Sequence, residues 1–303
     1  MNAARILTAT LSLGLAATAT PLLAQSSGLL SIGIQQVDVV PSVMTATKTA
    51  GPGKALSLQR VADSMGQQLI DRVHNTRKFK VVSRSDLETL LKEQELQSVF
   101  SDPNDVNVAQ AFKMAGCKYA LITTIDDFQD IQQELRAEGG QVLATKRIVR
   151  LSAVAKIYDT TDMTLLETAN FQLTDKDADQ TQFGVVGDGN GSDALLTVMS
   201  RQMAHKASVR VLDVIFPARV IAMTGSVVTI NRGDGTGIQE GQTWNVYALG
   251  EALIDPDTGE SLGSEEVLMG QVQVISVTPK FSRARVVEDY GIDKLQVLRM
   301  ADS

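Results

Sequence analysis

The sequence predicts an α+β chain, with an α/β core followed by a small all-β, barrel-like unit. Three observations predict it. Between residues 30 and 215, short alternating or β-branched runs are interleaved with segments whose apolar residues recur at helical spacing. After Pro217 the mixture gives way to short strand-like runs separated by glycine-rich turns. Apolar residues make up 44% of the 303 and charged residues 21%, a composition able to pack one or two cores.

The elements follow in order. Arg5 precedes an apolar stretch at 7–19 and then Pro21, the pattern of a secretory signal peptide over residues 1–24. Cleavage after Ala19 satisfies the small-x-small rule through Ala17, and cleavage after Ala24 places Leu22 at the third position back. No cysteine follows the apolar stretch, so no lipid anchor is expected. A first domain is expected over 25–216 and a second over 217–303.

In the first, a strand is predicted at 30–40 from Ile32 and Ile34, and a loop at 46–54 from Gly51, Pro52 and Gly53. Leu58, Val61, Met65, Leu69, Ile70 and Val73 form a helical stripe within 56–75. A short strand at 79–82 leads to Ser85 and Glu88, which have the spacing of a capping box for a helix carrying Leu87, Leu90, Leu91 and Leu96. Asn104 or Asp105 caps a short helix at 106–115, and 119–125 reads as a central strand. Long strands are predicted at 141–158 and 165–174, turning at Asp159 and Asp162, with a last helix at 194–215. Beyond Pro217, strands are predicted at 227–230, 244–248, 270–277 and 283–287, with turns at 231–237, 240–241 and 255–259.

Several function classes are set aside by composition. The net charge is −7, from 35 acidic and 28 basic residues, with no basic cluster, so nucleic acid is not an expected partner. Aromatic residues are 4%, too few for a stacking surface. Cys117 is the single thiol and lies at the start of a strand-like run. A nucleophilic cysteine needs a base, and the chain offers His74 and His205 alone, so Cys117 reads as a small buried apolar residue.

The remaining motifs favour structural roles. The glycines of 184–191 lack the Gly-Lys-Ser/Thr ending of a phosphate loop. Asp188, Asn190, Ser192 and Asp193 begin like a calcium loop, but the sixth position is not glycine and the twelfth is Met199. Asp255, Asp257 and Glu260 surround Pro256 and Gly259, as in a hairpin turn. Arg232-Gly233-Asp234 spells an adhesion tripeptide within a turn. Arg84, Asp86 and Glu88 read as capping and helix-dipole residues, and Glu93 and Gln94 as a solvated face. No catalytic, cofactor-binding or metal-ligating residue is therefore predicted, and no enzyme is expected.

The run Phe79-Lys80-Val81-Val82-Ser83-Arg84-Ser85-Asp86-Leu87-Glu88, continued by Leu91-Lys92-Glu93-Gln94-Glu95-Leu96, resembles the signature of the CsgG family. The segment Ala115-Gly116-Cys117-Lys118-Tyr119-Ala120-Leu121-Ile122 is similar to a second part of it, and Asn75-Thr76-Arg77-Lys78 fits the preceding helix end. The resemblance covers about residues 30–215. The part after Pro217, through 233–241, Tyr247 and 255–259, is similar to the C-terminal domain of the flagellar assembly protein FlgT. The resemblance implies a CsgG-like α/β core and a non-enzymatic cell-envelope protein that supports assembly or secretion of a curli-like surface structure through protein contacts. It implies envelope or secretion-machinery partners, a homo-oligomer, and a periplasmic, outer-membrane-associated location. The alternatives are an oligomeric outer-membrane secretion channel and an envelope hydrolase. The missing lipobox cysteine and the charges in both candidate hairpins, 128–150 and 171–190, weigh against the channel.

Overall fold

A computed structural model describes residues 28–50, 52–87, 105–136, 140, 142–174, 176–177, 194–259 and 261–301. The expected signal peptide, Glu88, Glu93 and Gln94, the glycine-rich 184–191 segment and the calcium-like loop at 188–193 lie outside these residues, as does Glu260.

The first sheet is mixed. Its strands are β1 (Leu30–Ile34), β2 (Asp38–Val39), β3 (Phe79–Ser83), β4 (Tyr119–Arg136), β5 (Val142–Asp159) and β6 (Thr164–Thr174), in the order β3-β1-β4-β5-β6, with β2 beside β4. β1 runs parallel to both β3 and β4, and β4, β5 and β6 form an antiparallel meander. Alternation along β4 sends Leu121 and Ile125 to one face and Ala120 and Ile122 to the other.

Helices α2 (Pro52–Asn75) and α4 (Ala194–Ile215) cover the first face. Leu58, Val61, Met65, Leu69 and Val73 meet Met199, Met203, Ala207 and Val211 over Ile32, Ile34 and Leu121. The stripe predicted at 56–75 is therefore a buried face. On the other face α3 (Asp105–Met114) sets Val108 and Phe112 against Ala120, Ile122 and Tyr158. Phe112 lies so close to β1 that a Cβ added to Gly33 would stand 2.1 Å from its ring, so only glycine fits there.

Two expectations need correction. The predicted loop at 46–54 is largely helical: α1 (Pro41–Ala50) runs into it and α2 opens at Pro52. Proline at a first helical position gives up no hydrogen bond, because that N–H has no partner within the helix. The capping box is also displaced by two residues. The helical turn opens at Arg84, so Ser83 is the cap. Its Oγ accepts from the Asp86 N–H at 3.3 Å, and Asp86 Oδ2 accepts from the Ser83 N–H at 3.0 Å and its hydroxyl at 2.7 Å. Ser85 instead shares a hydroxyl contact with Ser83 at 2.8 Å.

The second sheet contains β7 (Val220–Thr224), β8 (Val227–Ile230), β9 (Thr243–Ile254), β10 (Ser261–Val277), β11 (Ser282–Asp289) and β12 (Val297–Met300), in the order β12-β9-β10-β11-β8-β7. It is not a closed barrel. Its two edges nonetheless meet at an antiparallel bridge between Arg219 and Val297, supported by Val220 N–H to Gln296 O at 3.0 Å. Val220, Val228, Ile230, Val246, Val272 and Val274 fill its core.

The Ser83 hydroxyl and then the Ser83 amide hold the Asp86 carboxyl below the usual carboxylate range. A depressed acid stabilises the fold above its unfolded pKa and loses that contribution as pH falls through the folded value. Ser83→Ala is expected to cost about 0.5–2 kcal/mol at neutral pH, more than Ser85→Ala. Asp86→Ala is expected to be non-additive with it, and the gap between Asp86→Ala and the parent to close in acid. Denaturant melts of the single and double variants check this, and full additivity contradicts it.

Candidate functional site

Two clefts and one buried ion pair stand out. The first cleft, of about 420 Å³, lies where the second half of α4 faces the second sheet, and is lined by Glu167, Arg210, Asp213, Thr236, Trp244 and Arg299 among others. Its charges are paired. Arg210 Nη2 donates to Glu167 Oε1 at 2.7 Å, and Arg299 Nη2 donates to Glu266 Oε1 at 2.8 Å. The Thr236 hydroxyl donates to Gly233 O at 2.6 Å, and Trp244 Nε1 donates to Gln242 Oε1 at 3.2 Å.

Behind this cleft sits Arg232, whose side chain is 1% exposed. Its Nη2 donates to Asp213 Oδ1 at 2.6 Å and to Phe216 O at 3.0 Å, both at the end of α4. Nε and Nη1 are buried with no partner among the described residues. Desolvation pushes the Asp213 carboxyl up, against the pull of Arg232, and lowers Arg232, against the pull of Asp213. Both partners thus report that burial outweighs their attraction.

The second cleft, of about 400 Å³, opens at the carboxyl ends of β1 and β3 beside α2, and is lined by Gln35, Gln36, Asp63, Gln67, Ser83 and Arg84 among others. Crevices outside the carboxyl ends of parallel strands are where open α/β sheets hold ligands. Asp63 Oδ1 is engaged here, accepting from Gln36 Nε2 at 3.2 Å and Gln59 Nε2 at 3.1 Å.

Among the described residues, neither cleft is lined by Cys117 or by a histidine. Cys117 is buried among the α3 cluster, and desolvation pushes its thiol up to about 11. His205 lies on α4, on the opposite side of the first sheet. It contacts Arg72 Nη1 through Nδ1 at 3.2 Å, and burial, followed by Arg72, lowers its pKa. The sheet therefore separates the thiol from this imidazole. Among the described residues, no group of three His, Cys, Asp or Glu is placed to hold a metal.

The other motifs take structural roles. Arg232 is buried, and a Cβ on Gly233 would stand 2.6 Å from Thr278 O, so the adhesion-like tripeptide is a packed turn. Asp255 Oδ1 accepts from the Asp257 N–H at 2.8 Å and the Thr258 N–H at 3.2 Å, closing the β9–β10 hairpin. Sequence reasoning missed the Asp213–Arg232 pair, because nothing local marks an arginine for burial. It also missed the length of β9 and β10, although the six acidic residues of 249–269, unaccompanied by any Lys or Arg, were a visible signal.

Residues 31–175 match the family described as curli production assembly/transport component CsgG. The matched span takes in most of the first sheet together with α1, α2 and α3. Comparison with curated proteins gives no match. Among solved structures, hypothetical protein CT253 from Chlamydia trachomatis is similar at 9% identity and a TM-score of 0.35, covering 62% of this chain and 98% of that one. Lipoprotein GNA1162 from Neisseria meningitidis is similar at 12% identity and 0.29, covering 58% and 96%. The PelC dodecamer from Paraburkholderia phytofirmans is similar at 8% identity and 0.28, covering 58% and 83%. Likeness at this level bears on no function.

The ion pair yields a stability test. Asp213→Ala strands a buried guanidinium and is expected to cost about 2–4 kcal/mol, somewhat below the usual range for a fully buried pair because a third of Asp213 is exposed. The double change Asp213→Leu with Arg232→Met removes both charges and is expected to cost much less. Equal losses in chemical denaturation contradict the assignment.

Proposed function

We infer that this is a non-enzymatic cell-envelope protein that supports assembly or secretion of a surface structure. The observation that carries the reading is the CsgG family match over residues 31–175. The paired charges of the α4 cleft and the raised thiol of Cys117 agree with it, since neither offers chemistry. The reading includes a cleaved signal over residues 1–24, a CsgG-like domain over 25–216 and a β-rich domain like that of FlgT over 217–303. It includes a periplasmic location, action through protein contacts, a homo-oligomer, and partners drawn from the envelope or secretion machinery.

A second reading, the outer-membrane secretion channel, has one observation in its favour. Among the described residues, β4 and β5 continue as a two-stranded hairpin beyond the last β6 pairing, Arg150 with Thr174, as far as Arg136 with Val142. The hairpin's composition opposes insertion. Asp130, Glu134, Lys146, Arg147 and Arg150 fall along it, and a Lys or Arg facing lipid at the midplane costs about 2–4 kcal/mol. No helix among the described residues is long and apolar enough to cross a membrane, and membrane strands are a separate matter.

Fractionation of the native cell and reconstitution into planar bilayers together decide between the two. The envelope-support reading expects release without detergent and no conductance. Discrete, stable conductance steps from the purified mature chain overturn it in favour of the channel.

A further inference from the structure

The β9–β10 hairpin outgrows its sheet. β12 pairs with β9 only up to Tyr247, and β11 pairs with β10 only from Gly270 onward. Between these points and the turn at Asp255, the two strands pair only with each other among the described residues, through Leu249 with Glu266 and Ile254 with Ser261. A lone two-stranded ribbon is marginal in water, and both of its backbone edges are open to pairing.

The ribbon's surface is apolar and acidic at once. Leu249, Leu253, Ile254, Val267 and Leu268 are all exposed. Residues 249–269 contain Glu251, Asp255, Asp257, Glu260, Glu265 and Glu266 and no Lys or Arg. Strand alternation places Leu249 and Leu268 on one face and Val267 on the other, so both faces of the ribbon carry exposed apolar side chains, as an interaction surface does.

The complementary surface is on the same molecule. Along β11, Ser282 and Ala284 point into the core while Arg283 and Arg285 point outward. Exposed Ile221, Ile275 and Val287 share that sheet with them, and Lys280 follows in the β10–β11 turn. This face stays uncovered by its own ribbon, as the exposure of those three apolar residues shows.

We propose that the acidic, apolar β9–β10 ribbon of one copy docks on the basic, apolar outer face of β11 and its neighbours in a second copy. The ribbon is acidic and the Arg283–Arg285 end of the face is basic, and both surfaces are apolar in part. They are different patches of one chain, so the contact is heterologous and repeats from copy to copy, giving a ring if the rotation closes and a filament if it does not. The proposal rests on the homo-oligomeric part of the preceding reading and names the surfaces that would make it.

The test reverses charge on each surface in the mature chain and follows assembly by sedimentation velocity, with circular dichroism confirming the fold. Glu251→Lys with Glu265→Lys alters the ribbon and leaves Glu266 with its Arg299 partner. Arg283→Glu with Arg285→Glu alters the face. Each variant alone is expected to lose assembly by tenfold or more in concentration, and raised salt to weaken the parent. An equimolar mixture of the two is expected to assemble again, because alternating copies then meet only opposite charges. Leu253→Ser and Ile275→Ser test the apolar half and are expected to weaken assembly without touching charge. A parent assembly that ignores all these changes, or a mixture that stays dissociated, overturns the interface while leaving the homo-oligomer standing. A parent that is monomeric at every concentration overturns both.

Discussion

Burial of the Arg232 guanidinium is the constraint on which the arrangement of the two sheets depends. Few side chains are as expensive to desolvate, and Asp213 and Phe216 O satisfy only one of its nitrogens. It can be buried because the end of α4 and two turns of the second sheet converge on it. The Ser282 hydroxyl donates to Arg232 O at 2.8 Å, and the Asp234 N–H donates to Thr278 O at 2.9 Å, tying the β8–β9 segment to the β10–β11 turn. Gly233 allows that turn to approach closely enough.

The same junction carries tension. Burial and then Arg232 lower the pKa of Lys78, so two like charges share a partly desolvated region. The adjoining residues are apolar: Phe79 and Phe216 meet edge to face at 5.3 Å, linking β3 with the segment after α4. Apolar contact thus supplies the attraction, while the charges demand one arrangement. A misplaced α4 would leave Arg232 without Asp213.

Most of the fold was legible because its periodicities are strong. The α2 and α4 stripes, the β4 core and the hairpin turn at Asp255 follow from spacing and turn chemistry. The cap was misplaced because Ser83 and Ser85 are both followed three residues later by an acid, and only the end of β3 selects the first. The loop over Gly51, Pro52 and Gly53 was misread because proline punctuates helix starts as well as turns. β7 and β12 were missed as short edges with few core residues. The Asp213–Arg232 pair is 19 residues apart and non-local, so no pattern announces it.

Among the described residues, Arg150, Lys156, Arg210, Arg232 and Arg299 each pair with a carboxylate. The central structural claim is that Arg232 couples the two sheets. Differential scanning calorimetry of the mature chain, alone and as Asp213→Asn, tests it most directly. The account predicts one cooperative transition for the parent and two resolved transitions for the variant, the uncoupled sheets melting separately. Two independent transitions in the parent, or a single unshifted one in the variant, would contradict it.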